Sequence, residues 1–365
     1  MSRGPSNLPV LDGLRAIAVL LVLWNHMPPL VFGDPEWLKV AGYLIGPGGL
    51  GVEIFFVLSG FLITRILLAE RAIGAPVRWF LVRRLLRIFP IYYLLLLVML
   101  PFRPLSEIGW CAAYLYNLKS ILWPWESGPL EHTWSLCIEE HFYLLWPLVV
   151  AFAPGPWARR TLVWFVMPAA AIGALLVGHW VADDPHAMKI VAHGSPFRFL
   201  TLGCGCLLAF WEPQLFAAPR RLLAIGLLSL GVGLALHPHL LFAFGPLWSG
   251  TEWVSRPWAP LVQLLHGGAW CTGIVLLALH AGTTRWSPLR ALSWRPLRAI
   301  GRISYALYLY HLPIYATVVW PAPTTRNGLI AAGLSFAAAA VSYFVIERPC
   351  QRFGNRFRTA TRAGA

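Results

Sequence analysis

The sequence predicts an all-α fold, a polytopic transmembrane helical bundle of about ten spans with both termini cytoplasmic. Three observations carry that expectation. Hydrophobic residues make up 58% of the chain and the mean hydropathy is +0.64, which excludes an ordinary soluble globule. Charged residues are 12% of the total, about half of the roughly 25% usual in soluble domains. The apolar residues also fall into runs close to the about 20 residues that cross about 30 Å of hydrocarbon. A net charge of +14 would point a soluble protein towards nucleic acid. In a membrane protein the same charge reflects basic residues collecting on the cytoplasmic side, so no nucleic-acid partner is expected.

Taken in order, the spans are expected near 9–30, 48–68, 88–104, 136–154, 160–181, 195–211, 221–241, 259–281, 299–320 and 327–346. The first lacks a small-residue cleavage site and carries Trp24, Asn25 and His26 where a signal peptide stays apolar, so it reads as an uncleaved span. The segment 106–122, with Glu107, Asn117 and Lys119, is ambiguous by composition. Sidedness decides it. If 106–122 does not cross, the inner segments hold 21 of the 29 basic residues and the outer ones seven, with Arg15 in the membrane. If it crosses, every later basic loop changes sides and the asymmetry collapses. The expected organisation is therefore one transmembrane body over 1–350 and a basic tail over 351–365 lying on anionic lipid, with no soluble domain appended. Of the six cysteines, Cys204, Cys206 and Cys271 lie in apolar runs. Their spacing suggests neither a disulfide framework nor a metal site, and they read as small packing residues between helices.

Several residues are costly where they stand. A charge at mid-bilayer costs about 2.5–3.5 kcal/mol on insertion scales. Arg15 and His26 share the first span; eleven steps of 100° leave them about 20° from eclipsed and about 16 Å apart along the axis. Snorkelling of Arg15 and an interfacial His26 would explain them equally well. In the second span, Glu53 and Ser59 sit in "GGLGVEIFFVLSGFLIT". An intramembrane carboxylate faces the bundle interior and has a partner; Arg15 and His26 are both candidates. In "VRRLLRIFPIYYLLLL", Arg84 and Arg87 fall on one helical face, and Pro90 bends or restarts the helix. Two guanidiniums there suit a phosphate ligand, as well as ordinary positive-inside anchoring. "EHTWSLCIEEHFYLLWP" gathers His132, Trp134, Ser135, Glu139, Glu140, His141 and Tyr143 at a helix start, and "GRISYALYLYHLP" sets Ser304, Tyr308 and His311 along one stripe.

Together and in this order, these blocks resemble the acyltransferase 3 family of integral membrane acyltransferases acting on envelope glycans and some antibiotics. The resemblance rests on "LDGLRAIAVLLVLWNH", "GGLGVEIFFVLSGFLI", "RRLLRIFPIYYL", "HTWSLCIEEHFYLLWP", "GRISYALYLYHLP" and the closing "IERP", and so covers nearly the whole chain. It implies that Arg15 and His26 are the functional pair, that Arg84 and Arg87 form the Arg-x-x-Arg, and that Glu139 and Glu347 are the acids of their blocks. Many members add an eleventh span and an SGNH-type domain; this chain is expected to be the single-domain form.

The function implied is O-acyl transfer in a bacterial cytoplasmic membrane, most often of acetyl. The donor is acyl-CoA from the cytoplasm, with no metal, and the acceptor is a hydroxyl of a carbohydrate or glycolipid. Arg84, Arg87 and Arg15 would hold the CoA phosphates. His26 would be the general base, since imidazole titrates near operating pH, with Arg15 and Glu139 beside it as catalytic residues. Glu53, Ser59, His132, Trp134, Ser135, Ser304, Tyr308, His311 and Glu347 would bind substrate or support the site. Direct transfer and an acyl-His intermediate both remain open. The rivals are a glycan or lipid transporter, which also needs intramembrane ionisable groups, and a non-catalytic scaffold.

Overall fold

The computed structural model describes residues 8–26, 49–124, 126, 128–153, 155–181, 186–236, 257–284 and 287–363. The described residues are all-helical, with no strand among them. The helices are α1 (Pro9–His26), α2 (Gly49–Arg71), α3 (Val77–Met99), α4 (Leu105–Ala112), α5 (Tyr116–Leu122) and α6 (Thr133–Phe152). A run follows of α7 (Gly155–Thr161), a π segment (Leu162–Val166) and α8 (Met167–Trp180). Then come α9 (His186–His193), α10 (Ser195–Phe210), α11 (Glu212–Ala217), α12 (Pro219–Ala235) and α13 (Ala259–Thr283). After a 3₁₀ turn (Pro288–Ser293), the chain closes with α14 (Arg295–Val318), α15 (Thr325–Ser342), a π segment (Tyr343–Glu347) and α16 (Arg348–Ala363).

Six helical stretches among the described residues are long and apolar enough to cross a membrane: Pro9–His26, Gly49–Arg71, Thr133–Phe152, Pro156–Trp180, Ala259–Thr283 and Arg326–Phe357. The other four expected spans coincide with helices of a different character. α10 and α12 are short, at 16 and 17 residues, while α3 and α14 carry several arginines. The third span is expected at 88–104, yet α3 begins at Val77 and takes all of its arginines into the helix. It continues through Pro90 instead of restarting there. Residues 27–30 and 237–241, the expected ends of the first and seventh spans, lie outside the described residues.

Two compact units divide the chain. The first draws on Met1–Val22, Lys39–Arg65 and Gly155–Arg302, the second on Leu23–Leu38, Ile66–Pro154 and Ile303–Ala365. In the first unit Leu11, Leu14, Ile54, Val57, Phe61, Leu208, Val275 and Leu279 form one apolar core. Its helices approach closely through glycine. A Cβ on Gly60 would run into the Leu202 carbonyl, and one on Gly205 into the Val57 carbonyl, so α2 and α10 cross backbone to backbone. Small residues of this kind are how helices pack where lipid supplies no hydrophobic drive. The buried thiols of Cys206 and Cys271 fill the same interior, and all six cysteines are free.

In the second unit the ambiguous segment resolves into α4 and α5, of 8 and 7 residues, broken at Tyr114, whose φ is +55°. At 1.5 Å per residue each is about 10–12 Å long, too short to cross. Tyr92 and Tyr93 of α3 donate to the carbonyls of Cys111 and Ala112 at 2.8 and 2.9 Å, and Tyr92 stacks on Tyr114 at 4.5 Å. Arg71 bonds the carbonyls of Val150 and Ala153, finishing the C-terminus of α6. The expected lipid-lying tail forms α16 and packs on α3, with Phe357 stacked on Trp79 at 4.9 Å. Leu145, Phe152, Leu97, Val341 and Val345 are all more than half exposed, a surface suited to acyl chains and not to water.

Candidate active site

Within the second unit, three helices bring together three imidazoles far apart in the sequence. His26 ends α1, His132 immediately precedes α6, and His311 sits within α14. The His311 ring lies 5.0 Å from His26 and 5.2 Å from His132, both edge-on. His311 is fully buried and His132 nearly so, whereas His26 is half-buried. His132 Nε2 lies 3.0 Å from the Leu309 carbonyl. A carbonyl only accepts, so that nitrogen carries the proton. Burial pushes His132 down to about 3, leaving it neutral at any physiological pH. No group of three or more His, Cys, Asp or Glu among the described residues is arranged to hold a metal ion.

One turn along both helices, Ser135 and Tyr308 meet. The Tyr308 hydroxyl donates to the His132 carbonyl at 3.0 Å and lies 2.6 Å from Ser135 Oγ. The polar stripe expected on α14 is therefore real, and it faces α6. Ser304, also on it, is fully buried with its hydroxyl unbonded among the described residues.

A further step along, the charges appear. The Arg84 guanidinium lies over the Tyr143 ring at 3.7 Å, and the Tyr143 hydroxyl donates to Glu139 Oε2 at 2.7 Å. Glu139 and Glu140 both act on the charge of Arg84. The Tyr305 hydroxyl donates to the Ile88 carbonyl at 3.4 Å, one turn from Arg84 on α3. Glu347 is buried at the end of the second π segment. Arg87 and Trp134 are half-buried.

These contacts form a ladder whose rungs occur in the same order on two antiparallel helices. On α6 it runs from His132 through Ser135 to Glu140, about 12 Å at 1.5 Å per residue. On α14 it runs from Tyr305 through Tyr308 to His311, about 9 Å. Imidazoles occupy one end, and a guanidinium among carboxylates the other.

The remaining expected residues lie elsewhere. Arg15 is on α1 with His26, but it belongs to the first unit, as do Glu53 and Ser59. The partner of Glu53 is neither Arg15 nor His26 but Arg198 of α10, in a buried ion pair. Arg198 also donates from Nε to the Ala192 carbonyl at 2.7 Å. Sidedness alone counts Arg198 as an outer-side charge; its position three residues into an apolar helix is the signal that such a count misses. Glu140 stands in the sequence cluster but receives no role there, because the resemblance assigns the acid of that block to Glu139, about 100° away on the helix. It is the more buried of the two.

The chain is 31% identical to O-acetyltransferase OatA of Staphylococcus aureus over 96% of its own length and 58% of that protein's. It is 28% identical to peptidoglycan O-acetyltransferase OatA of Listeria monocytogenes over 95% of its own length and 56% of that protein's. The chain thus spans somewhat more than half the length of these relatives. No solved structure matches it. The acyltransferase domain model matches residues 8–347, which takes in every rung of the ladder and the Glu53–Arg198 pair. With that coverage, the chain belongs to the acyltransferase 3 family.

Proposed function

We propose that this protein is a multi-pass O-acyltransferase of the bacterial cytoplasmic membrane, moving acetyl from cytoplasmic acetyl-CoA to a hydroxyl of an envelope carbohydrate. The acceptor proposed is a peptidoglycan sugar, the substrate named for the Listeria relative. The observation that supports the reading is the ladder: a guanidinium end and an imidazole end joined by a polar, buried track. In the proposed topology of ten spans with both termini inside, α1 and α3 both start at the inner face. Arg84 and Arg87 then lie towards the cytoplasm, and His26 and His311 towards the outside.

Arg84 and Arg87 would hold the CoA phosphates, because guanidinium forks match phosphate oxygens. Tyr143 braces Arg84 from beneath, and Glu139 is fixed through the same hydroxyl. Arg15 enters this reading from the family resemblance alone. The pantetheine arm would follow the rungs at Tyr308 and Ser135, bringing the thioester to the imidazoles. His26, the half-buried ring of the three, is reachable by an acceptor and takes the hydroxyl proton. The acceptor oxygen bonds to the acyl carbon, the carbon–sulfur bond breaks, and the proton passes from His26 to the departing thiolate. Trp134, Ser135, Ser304 and Glu347 support the track, while Glu53 and Ser59 support the first unit.

The test is free-thiol release by purified protein in nanodiscs, given acetyl-CoA and muropeptides. Wild type should release thiol and acetylate the sugar. His26→Ala should remain folded and lose about 10²–10⁴-fold in rate, the usual contribution of a positioned base. Acceptor movement without thiol release would support transport instead.

A further inference from the structure

The family reading gives His26 its task but His311 only a general supporting place, although His311 is the deepest ring of the cluster. Its Nδ1 lies 2.5 Å from the carbonyl of Tyr308, one turn back on α14. Because a carbonyl only accepts, Nδ1 carries the hydrogen and the neutral ring presents a lone pair at Nε2. That nitrogen is buried and has no hydrogen-bond partner among the described residues. A buried acceptor left open costs about 1–3 kcal/mol, so a donor that reaches it in the working state is the economical explanation.

The neighbouring rings narrow the choice. His132 has committed its N–H to the Leu309 carbonyl, and the Tyr308 hydroxyl is committed to the His132 carbonyl. Tyr315, one turn further on α14, has its ring centre 6.2 Å away and its own hydroxyl unbonded among the described residues. His26 is nearer, at 5.0 Å and with its ring tilted 61°.

We infer that His311 is a positioning residue whose Nε2 lone pair receives the ring N–H of His26. This holds His26 in the tautomer whose other nitrogen meets the acceptor hydroxyl. The Tyr308 carbonyl fixes His311, and His311 fixes His26. Imidazoles commonly have their reactive nitrogen set by the bond made at the other one. The inference rests on the acyl-transfer reading above.

Side chains that differ in where they place an acceptor supply the test. The glutamine oxygen reaches close to the Nε2 position, the asparagine oxygen reaches only the Nδ1 position, and leucine fills the space with no acceptor. Purified variants would be assayed for thiol release from acetyl-CoA with muropeptides, alongside thermal unfolding. The expected result is that His311→Leu and His311→Asn lose about tenfold or more in kcat with KM for acetyl-CoA unchanged. His311→Gln should keep most of the rate, and Tyr315→Phe should be unaffected. In the His26→Ala background, His311→Asn should cost nothing further.

A wild-type rate in His311→Asn overturns the inference. So does equal loss in the Gln and Asn variants, loss in Tyr315→Phe matching that in His311→Asn, or a loss that multiplies on His26→Ala. If His311→Leu does not fold, the Gln–Asn contrast still decides. A wild-type protein that releases no thiol, or a fully active His26→Ala, defeats the underlying reading instead, and the two failures are separable.

Discussion

Replacing Glu53 with leucine removes one half of the buried pair that anchors α10 to α2. The side chain of Arg198 is 7% exposed and that of Glu53 11%. Among the described residues the Arg198 guanidinium keeps one acceptor besides Glu53, the Ala192 carbonyl at 2.7 Å. Removing one partner of a buried pair leaves an uncompensated charge and costs about 3–5 kcal/mol. Leucine has one side-chain heavy atom fewer than glutamate, so it adds no bulk where Gly267 closes on the carboxyl, a Cβ there coming within 3.1 Å of its carbon. Charge is the larger part of the loss. Glu53→Gln keeps an oxygen acceptor and should cost about 1–3 kcal/mol. In the double variant Glu53→Leu with Arg198→Met no charge is left behind, and buried pairs replaced by apolar side chains are often neutral or more stable by about 1–4 kcal/mol. Equilibrium unfolding in mixed micelles would measure all four proteins of the cycle. A Glu53→Leu cost under about 1 kcal/mol, or strict additivity in the double variant, would refute the reasoning. Thiol release from the double variant adds a separate answer. Retained activity would make the pair structural, and lost activity with intact folding would return Glu53 to the residues expected to bind substrate.

Gly205→Val drives a side chain into the Val57 carbonyl where α2 and α10 cross, and should cost about 3 kcal/mol or more, read by the same unfolding assay. Gly109→Ala is its counterpart: among the described residues nothing lies within 4 Å of a Cβ at that position in α4, so alanine should stabilise by about 0.5–1 kcal/mol through helix propensity alone. Tyr308→Phe removes the hydroxyl between Ser135 and the His132 carbonyl. Ser135 Oγ keeps its own bond to that carbonyl at 3.1 Å, so a loss of about 1–2 kcal/mol is expected. His132 is held down to about 3, so between 3 and its ordinary value near 6.5 the unfolded chain binds a proton that the folded one refuses. Stability from this group is full above about 6.5 and falls as the pH drops below it. Lowering the pH from 6.5 to 5 should cost about 2 kcal/mol at 1.36 kcal/mol per unit. His193, held down to about 3 by burial with Lys189 and Arg198 nearby, adds a similar slope. His132→Asn should therefore flatten the pH dependence of unfolding only in part.

What can be read from the sequence follows from what lipid penalises. Hydrocarbon makes every charge costly, so Arg15, His26 and Glu53 stand out of their apolar runs by residue type alone. The same logic marks α4 and α5 as non-crossing from charge sidedness, and the turn at Tyr114 agrees with it. The penalty names the costly residue without naming its partner. Glu53 and Arg198 are 145 positions apart, and no periodicity on one helix reports what a second helix presents. The start of α3 escapes a hydropathy reading for the opposite reason. Hydropathy ends a span at the first dense charges, whereas a helix ends where its backbone bonds end, and Arg78, Arg83, Arg84 and Arg87 satisfy those bonds as well as leucine does.

The imidazole cluster shows the limit most clearly. His26, His132 and His311 come from three separate blocks, each with a bland explanation of its own, such as an interfacial residue, a helix start or a packing polar group. Only convergence distinguishes them, and convergence is a property of three helix axes. It also reverses the priority among them. From the sequence His26 leads because the family resemblance pairs it with Arg15, while His311 looks like one member of a polar stripe. In the fold His311 is a ring that the backbone of its own helix orients, through Tyr308, and its Nε2 is buried and unbonded among the described residues, as Nδ1 of His132 also is. An imidazole held from its own helix can impose a tautomer on a neighbour, whereas a half-buried ring at the last residue of α1 cannot impose one on it. Order at this site therefore runs from α14 to α1, and a substitution on α14 should be felt in the chemistry assigned to His26.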